Sequence, residues 1–129
     1  MKIRIYYHDT DCGGVVYYAN YLKFLEQART EFFEERNLHM KELIQKGVLF
    51  VVARQEIDYK LPAFYGDILD IRTLVSVVSG AKIEFQYEVR NQHDKLVSCA
   101  KTLLVCIGKD FKPQALPGDI IKALKGAGS

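Results

Sequence analysis

A chain of 129 residues with 49% hydrophobic content suits one folded domain and excludes intrinsic disorder. The formal net charge of +2, from 18 basic and 16 acidic residues, gives no argument for nucleic acid or for a basic membrane patch. Three cysteines, Cys12, Cys99 and Cys106, show no disulfide pattern, and no apolar run of about 18 residues suggests a membrane span.

The chain opens with a strand pattern over residues 2–7, Ile3, Ile5 and Tyr7 alternating with Lys2, Arg4 and Tyr6. By parity Tyr7 points with the isoleucines to the covered face and lines a pocket. No signal-peptide core precedes the strand, so the expectation is a soluble cytoplasmic protein without membrane insertion.

Residues 7–21 follow, and the rest of the chain is organised around them. Two carboxylates, Asp9 and Asp11, lead into Gly13-Gly14, and the glycines lead into a helical pattern. Glycine lets the backbone turn and approach a ligand closely. A helix start offers unpaired N–H groups that favour developing negative charge. The combination suits acyl-transfer chemistry. Asp9 reads as a turn residue accepting local backbone N–H bonds. Asp11, followed by Val15-Val16, is expected to be partly desolvated and thereby more basic. Other chemistries fit less well. A calcium loop needs a bidentate Glu where Asn20 stands. His8 with the aspartates lacks a second metal-ligating cluster, and a phosphate loop would need Gly-Lys-Ser/Thr. Cys12 has no partner His at a recognisable position.

From Tyr17 to about Arg36 the period becomes helical. Tyr18, Tyr21, Leu22, Phe24, Leu25, Ala28, Phe32 and Phe33 fall on one broad arc. The helix is roughly 30 Å long at ~1.5 Å per residue. Arg29 lies inside the arc, either a snorkelling or ion-paired structural arginine or a group that orients the loop or its carboxylates. Residues 37–46 form a short second helix ended by Gly47. Extended segments follow at 48–60, 67–78, 82–90 and 95–107, with turns at 62–67, 79–80 and 91–94. Cys99 and Cys106 read as small apolar residues within the last strand. A short helix is expected over 119–125, after Pro113 and Pro117.

Short links between strands favour consecutive strands as antiparallel neighbours, and one long helix with about five such strands implies α+β, a curved antiparallel sheet wrapped round a central helix, in one domain over 1–129. Two open sheet edges predict a homodimer or a dimer of dimers, that is, a homotetramer.

The pattern Tyr6-Tyr7-x-Asp9-Thr10-Asp11-x-Gly13-Gly14-Val15-Val16-Tyr17-x-Ala19-Asn20-Tyr21 resembles the signature of hotdog-fold acyl-CoA thioesterases, specifically the 4-hydroxybenzoyl-CoA thioesterase family and its YbgC-like branch. Leu22 to Phe33 continues the resemblance, and the order of elements agrees over the chain. The resemblance implies an acyl-CoA thioesterase with Asp11 as catalytic aspartate, either general base or nucleophile. It implies that the backbone N–H of Tyr18 contacts the thioester oxygen. With amides near Tyr17, and with Gly14 and Tyr7 lining the site, this completes the candidate set. No metal or cofactor is implied; coenzyme A belongs to the substrate. The branch often carries His where Tyr18 stands, and the aromatic-acyl branch can carry Tyr, so acyl preference stays open. A non-catalytic acyl-CoA-binding hotdog module, a hydratase and a structural scaffold are the rival readings.

Overall fold

A computed structural model describes residues 1–125; the expected single domain extends four residues beyond these. Five strands, β1 (Lys2–Arg4), β2 (Leu49–Tyr59), β3 (Ile68–Ser79), β4 (Lys82–Arg90) and β5 (Leu96–Ile107), form one antiparallel sheet in the order β1-β3-β4-β5-β2. Helices α1 (Asn20–Glu35), α2 (Met40–Gln45) and α3 (Gly118–Lys125) accompany it. This is the α+β hotdog architecture expected from the sequence.

Alternation sets which face of the sheet is covered. On β4, Ile83, Phe85, Tyr87 and Val89 are buried, and the intervening polar residues are half-buried or exposed. On α1, Tyr21, Phe24, Leu25, Ala28, Phe32 and Phe33 are buried along one stripe. Phe32 and Phe33 both meet Phe85 edge-on, with centroids 5.6 and 5.5 Å apart. Burying an aromatic side chain of this kind contributes about 1.5–3 kcal/mol, and edge-to-face geometry suits the ring quadrupoles. The long helix is therefore held by the strand whose period is cleanest.

Two helix ends show local chemistry. Asn37, read as the start of the second helix, instead has a left-handed φ of 61° and closes α1, with the Leu38 N–H donating back to the Phe33 carbonyl. Asparagine is among the residues that adopt this conformation most readily. Gly47 (φ 80°) ends α2 as expected, and the Val48 N–H donates to the Leu43 carbonyl.

One expectation about connectivity fails. Short links argued for consecutive strands as neighbours, yet β2 and β3 lie apart: β2 is an edge strand paired only with β5, and β3 pairs with β1 and β4. The connecting residues 60–67 cross from one side of the sheet to the other. On the way they pair with the loop ahead of α1, through the Val16 N–H to the Ala63 carbonyl (2.8 Å) and a bridge between Val15 and Phe64. That crossing builds the mouth of the candidate site.

Candidate active site

Strand β1 is shorter than its alternation suggested. The chain leaves the sheet after Ile5, which still exchanges hydrogen bonds with Gly66 and Asp67. It then makes a single 3-10 turn over Tyr7–Asp9. The period-2 argument therefore stops applying before Tyr7. Tyr7 is 71% exposed rather than covered, packs edge-on against Tyr65 (5.9 Å), and takes no part in lining the cavity described below.

Asp9 is the knot of this turn. One carboxylate oxygen accepts the Tyr6 N–H at 2.9 Å, and the other lies 3.5 Å from His8 Nε2. Its main-chain carbonyl accepts the Tyr17 N–H (3.1 Å) and the Asn20 side-chain amide (2.8 Å). Of these, the Tyr6 N–H to the carboxylate is the local backbone bond expected of an aspartate in a turn.

Asp11 begins a tight reversal. Its carbonyl accepts the Gly14 N–H (3.1 Å), its own N–H donates to the Val15 carbonyl (3.0 Å), and Oδ1 accepts the Gly13 N–H (2.9 Å). Both glycines serve this reversal. Gly14 has φ 75°, where a β-carbon is strained. A β-carbon at Gly13 would stand 3.3 Å from Asp11 Oδ1. Asp11 Oδ2 has no partner among the described residues. The expected desolvation by Val15-Val16 does not occur within one chain. The valines pair with residues 63–64 and turn inward, which leaves the Asp11 carboxylate exposed at the tip.

The helix start differs from expectation in an informative way. Regular α1 begins at Asn20, preceded by tight turns in which Tyr17, Tyr18 and Ala19 carbonyls accept the N–H groups of Asn20, Tyr21 and Leu22. The Tyr17 N–H is engaged by Asp9 and is not free to bind a ligand. The N–H groups of Tyr18 and Ala19 meet no acceptor among the described residues. Such orphan donors are the partial positive charge of a helix start.

Tyr18 also lines an open cavity of about 300 Å³, with Val15, Tyr21, Tyr59, Leu61 and Pro62; Ala19 and Asp11 are not among its lining residues. Tyr18 and Leu22, placed on the buried arc from the sequence, are 65% and 47% exposed. Tyr18 precedes the regular helix and faces the open cavity. Tyr59, the last residue of β2, sets its ring edge-on to Tyr18 (6.3 Å) and Tyr21 (5.4 Å), and its hydroxyl donates to the Tyr18 carbonyl at 3.1 Å. Tyr59 is not among the residues that the sequence pattern singles out. The available signal was its strand parity opposite the charged Glu56, Asp58 and Lys60; the β5 partners of Gln55, Ile57 and Tyr59, namely Thr102, Ala100 and Ser98, are all buried. Burial, with smaller contributions from Tyr59 and Asp67, pushes the Tyr21 phenol up to about 12; burial followed by Tyr18 raises that of Tyr59. Both rings are thus neutral donors at ordinary pH.

Among the described residues Arg29 makes no hydrogen bond or ion pair with the loop. It lies by Tyr87 on β4, whose buried hydroxyl has Thr102 and Arg29 as neighbours but forms a hydrogen bond with neither. Of the cysteines, Cys12 is exposed, Cys106 is in the core, and Cys99 is half-buried on the opposite face of β5, so only Cys106 behaves as the core residue expected. Among the described residues no three His, Cys, Asp or Glu side chains gather as metal ligands. A second concavity, on the sheet face away from α1, mixes Glu56, Asp58 and Glu88 with Arg72 and Lys101 and stands apart from the loop.

Residues 6–124 match the family model described as the thioesterase-like superfamily. The chain is 42% identical over 120 residues to acyl-CoA thioesterase YbgC of Haemophilus influenzae, covering 92% of this chain and 88% of that one. It is 37% identical over 124 residues to acyl-CoA thioester hydrolase YbgC of Escherichia coli O6:H1, covering 95% and 92%. Among solved structures, a DHNA-CoA thioesterase from Staphylococcus aureus superposes with a TM-score of 0.93 at 28% identity, covering 98% of this chain and 87% of that one.

Proposed function

This chain belongs to the thioesterase-like superfamily and is an acyl-CoA thioester hydrolase, and from that premise we propose which of its residues carry the reaction. The thioester carbonyl oxygen sits at the Tyr18 N–H, with the acyl group in the cavity walled by Tyr18, Tyr21 and Tyr59. Asp11 is the catalytic carboxylate. Tyr17 contributes its ring, 4.9 Å from that of Tyr18, rather than its amide. Gly14 supplies the turn that presents Asp11. The observation that carries this reading is the unpartnered N–H of Tyr18, a residue that also walls the aromatic cavity.

Two routes fit. As general base, the free oxygen of Asp11 takes a proton from water while the water oxygen adds to the carbonyl carbon. The tetrahedral intermediate then collapses, the C–S bond breaks, and the proton passes to the departing thiolate, giving free acid and coenzyme A. As nucleophile, the carboxylate attacks the carbon directly and expels the thiolate. The resulting mixed anhydride is hydrolysed by water. In both, negative charge grows on the carbonyl oxygen, where a preformed donor acts most strongly.

The protein is proposed to be a single domain acting as a homodimer or dimer of dimers. Strand β2 supports this: it is an 11-residue edge strand with Val51 and Val52 exposed. A second copy along that edge would satisfy the open ladder and cover the exposed apolar side chains. A cytoplasmic location is supported by three unpaired cysteines. No helix among the described residues is long and apolar enough to cross a membrane.

Substitution of Asp11 by Asn tests the assignment. The amide oxygen can still accept the Gly13 N–H, so the turn persists while the base or nucleophile is lost. Thiol release from a panel of acyl-CoAs should fall by ~10²–10⁴ in kcat, with binding retained. Near-wild-type turnover would remove Asp11 from the mechanism.

A further inference from the structure

We infer that Tyr59 is a positioning residue for the reaction: its hydroxyl fixes the peptide plane between Tyr18 and Ala19 and thereby aims the Ala19 N–H, as a second donor, at the developing oxyanion. The inference rests on the reading of the Tyr18 amide as the first donor.

A peptide unit is planar, so whatever holds its carbonyl also holds its N–H. The Tyr18 carbonyl accepts two bonds, one from the Tyr21 N–H (3.2 Å) and one from the Tyr59 hydroxyl (3.1 Å). The N–H at the other end of the same plane is that of Ala19, which meets no acceptor among the described residues. Ala19 itself is already helical, at φ −68° and ψ −20°. A hydrogen bond at the carbonyl polarises the amide and strengthens its N–H as a donor. It also resists the rotation by which a solvent-exposed first turn frays.

Tyr59 is itself held firmly. It sits at the end of β2, where its main chain pairs with buried Ser98 on β5. Its ring is set edge-on to both Tyr18 and Tyr21, and Tyr21 is only 3% exposed. Because burial keeps the Tyr59 phenol protonated well into the alkaline range, the hydroxyl remains a donor throughout working conditions. The strand end thus acts as a fixed anchor for the first turn of a helix more than forty residues earlier, across the mouth of the cavity.

The test is Tyr59→Phe in the full chain, which keeps the ring and removes only the hydroxyl. Three measurements are made: kcat and KM for the acyl-CoA hydrolysed fastest by wild type, the thermal midpoint, and the backbone amide resonance and hydrogen exchange of Ala19. The expected result is a fall in kcat of about tenfold, less than the ~10²–10³ of a lost oxyanion donor because the donor remains but is less well aimed. KM should stay within about twofold, the midpoint should be little changed, and the Ala19 amide should shift and exchange faster. Unchanged kcat, or a change confined to KM, would overturn the inference, since the latter would make Tyr59 a substrate contact. An unmoved Ala19 amide would overturn it as well. Asp11→Asn assayed in parallel separates the two ideas. An active Asp11→Asn protein would reject the role of Asp11, while the kcat and amide readouts of Tyr59→Phe would still decide the role of Tyr59.

Discussion

The side-chain amide of Asn20 donates to the main-chain carbonyl of Asp9 at 2.8 Å. This bond joins the first residue of α1 to the turn immediately ahead of Asp11, across eleven positions of sequence. With the Tyr17 N–H on the same carbonyl, it holds the proposed carboxylate and the proposed donors in one frame.

Removing that clamp should harm activity more than stability. Asn20→Ala loses one partly buried hydrogen bond, a net cost of about 1 kcal/mol. If the clamp sets the spacing between loop and helix start, kcat should fall about tenfold, since small misplacements of reacting groups are expensive in rate. Chemical denaturation and steady-state kinetics on the same variant check both halves of the expectation.

Gly14 makes a sharper steric prediction. A β-carbon there meets no neighbouring atom within 4 Å, so space is not the obstacle. The left-handed φ of 75° is. Gly14→Ala should therefore destabilise by about 1 kcal/mol through backbone strain alone, and should lower turnover by relaxing the turn that presents Asp11. A stability equal to wild type, measured by thermal denaturation, would contradict this assignment of the turn.

Tyrosine burial predicts a one-sided pH dependence. The Tyr21 phenol titrates near 10 when unfolded and near 12 when folded. Its contribution is constant below pH 10. Between about 10 and 12 the unfolded chain loses this proton and the native chain keeps it, so stability falls as pH rises. Tyr59 and Tyr87, also raised by burial, act in the same direction. Urea midpoints measured from pH 8 to 11.5 should be flat at first and then decline, and Tyr21→Phe should reduce the decline.

The open edge of β2 gives the fourth expectation. Sedimentation should return a mass of twice or four times the 14.8 kDa chain. Val52, nearly half exposed on that edge, is the place to break the association. Val52→Lys puts a charge where a second strand would pack, and should shift the protein toward the monomer with reduced turnover. A wild-type monomer at micromolar concentration would remove the dimer from the functional account.

Much of this molecule was legible in residue order because the relevant forces are local. Alternation along 82–90 gave the covered face of β4, and a 3.6-residue period gave the buried stripe from Tyr21 to Phe33. Gly47 marked a helix end, and Asp9 behaved as a turn aspartate. The Asp-x-Asp-x-Gly-Gly run leading into a helix marked the candidate site and, through its resemblance, pointed to the family. Other features depended on contacts between segments far apart in the chain. The covered parity assigned to Tyr7 failed because the strand ends where pairing with Gly66 and Asp67 ends. Asp11 proved exposed because residues 63–64 draw Val15 and Val16 inward. The link 60–67 crosses the sheet instead of joining neighbours, and no composition of that link announces the crossing. That crossing also carries the chain from Tyr59 past the helix start, which is how a residue never singled out in the sequence comes to hold the Tyr18 carbonyl. Periodicity reports which side of an element avoids water, a property each short segment possesses alone. Which N–H groups remain unpaired is decided only when distant carbonyls and hydroxyls have taken their places, and on that the proposed chemistry turns.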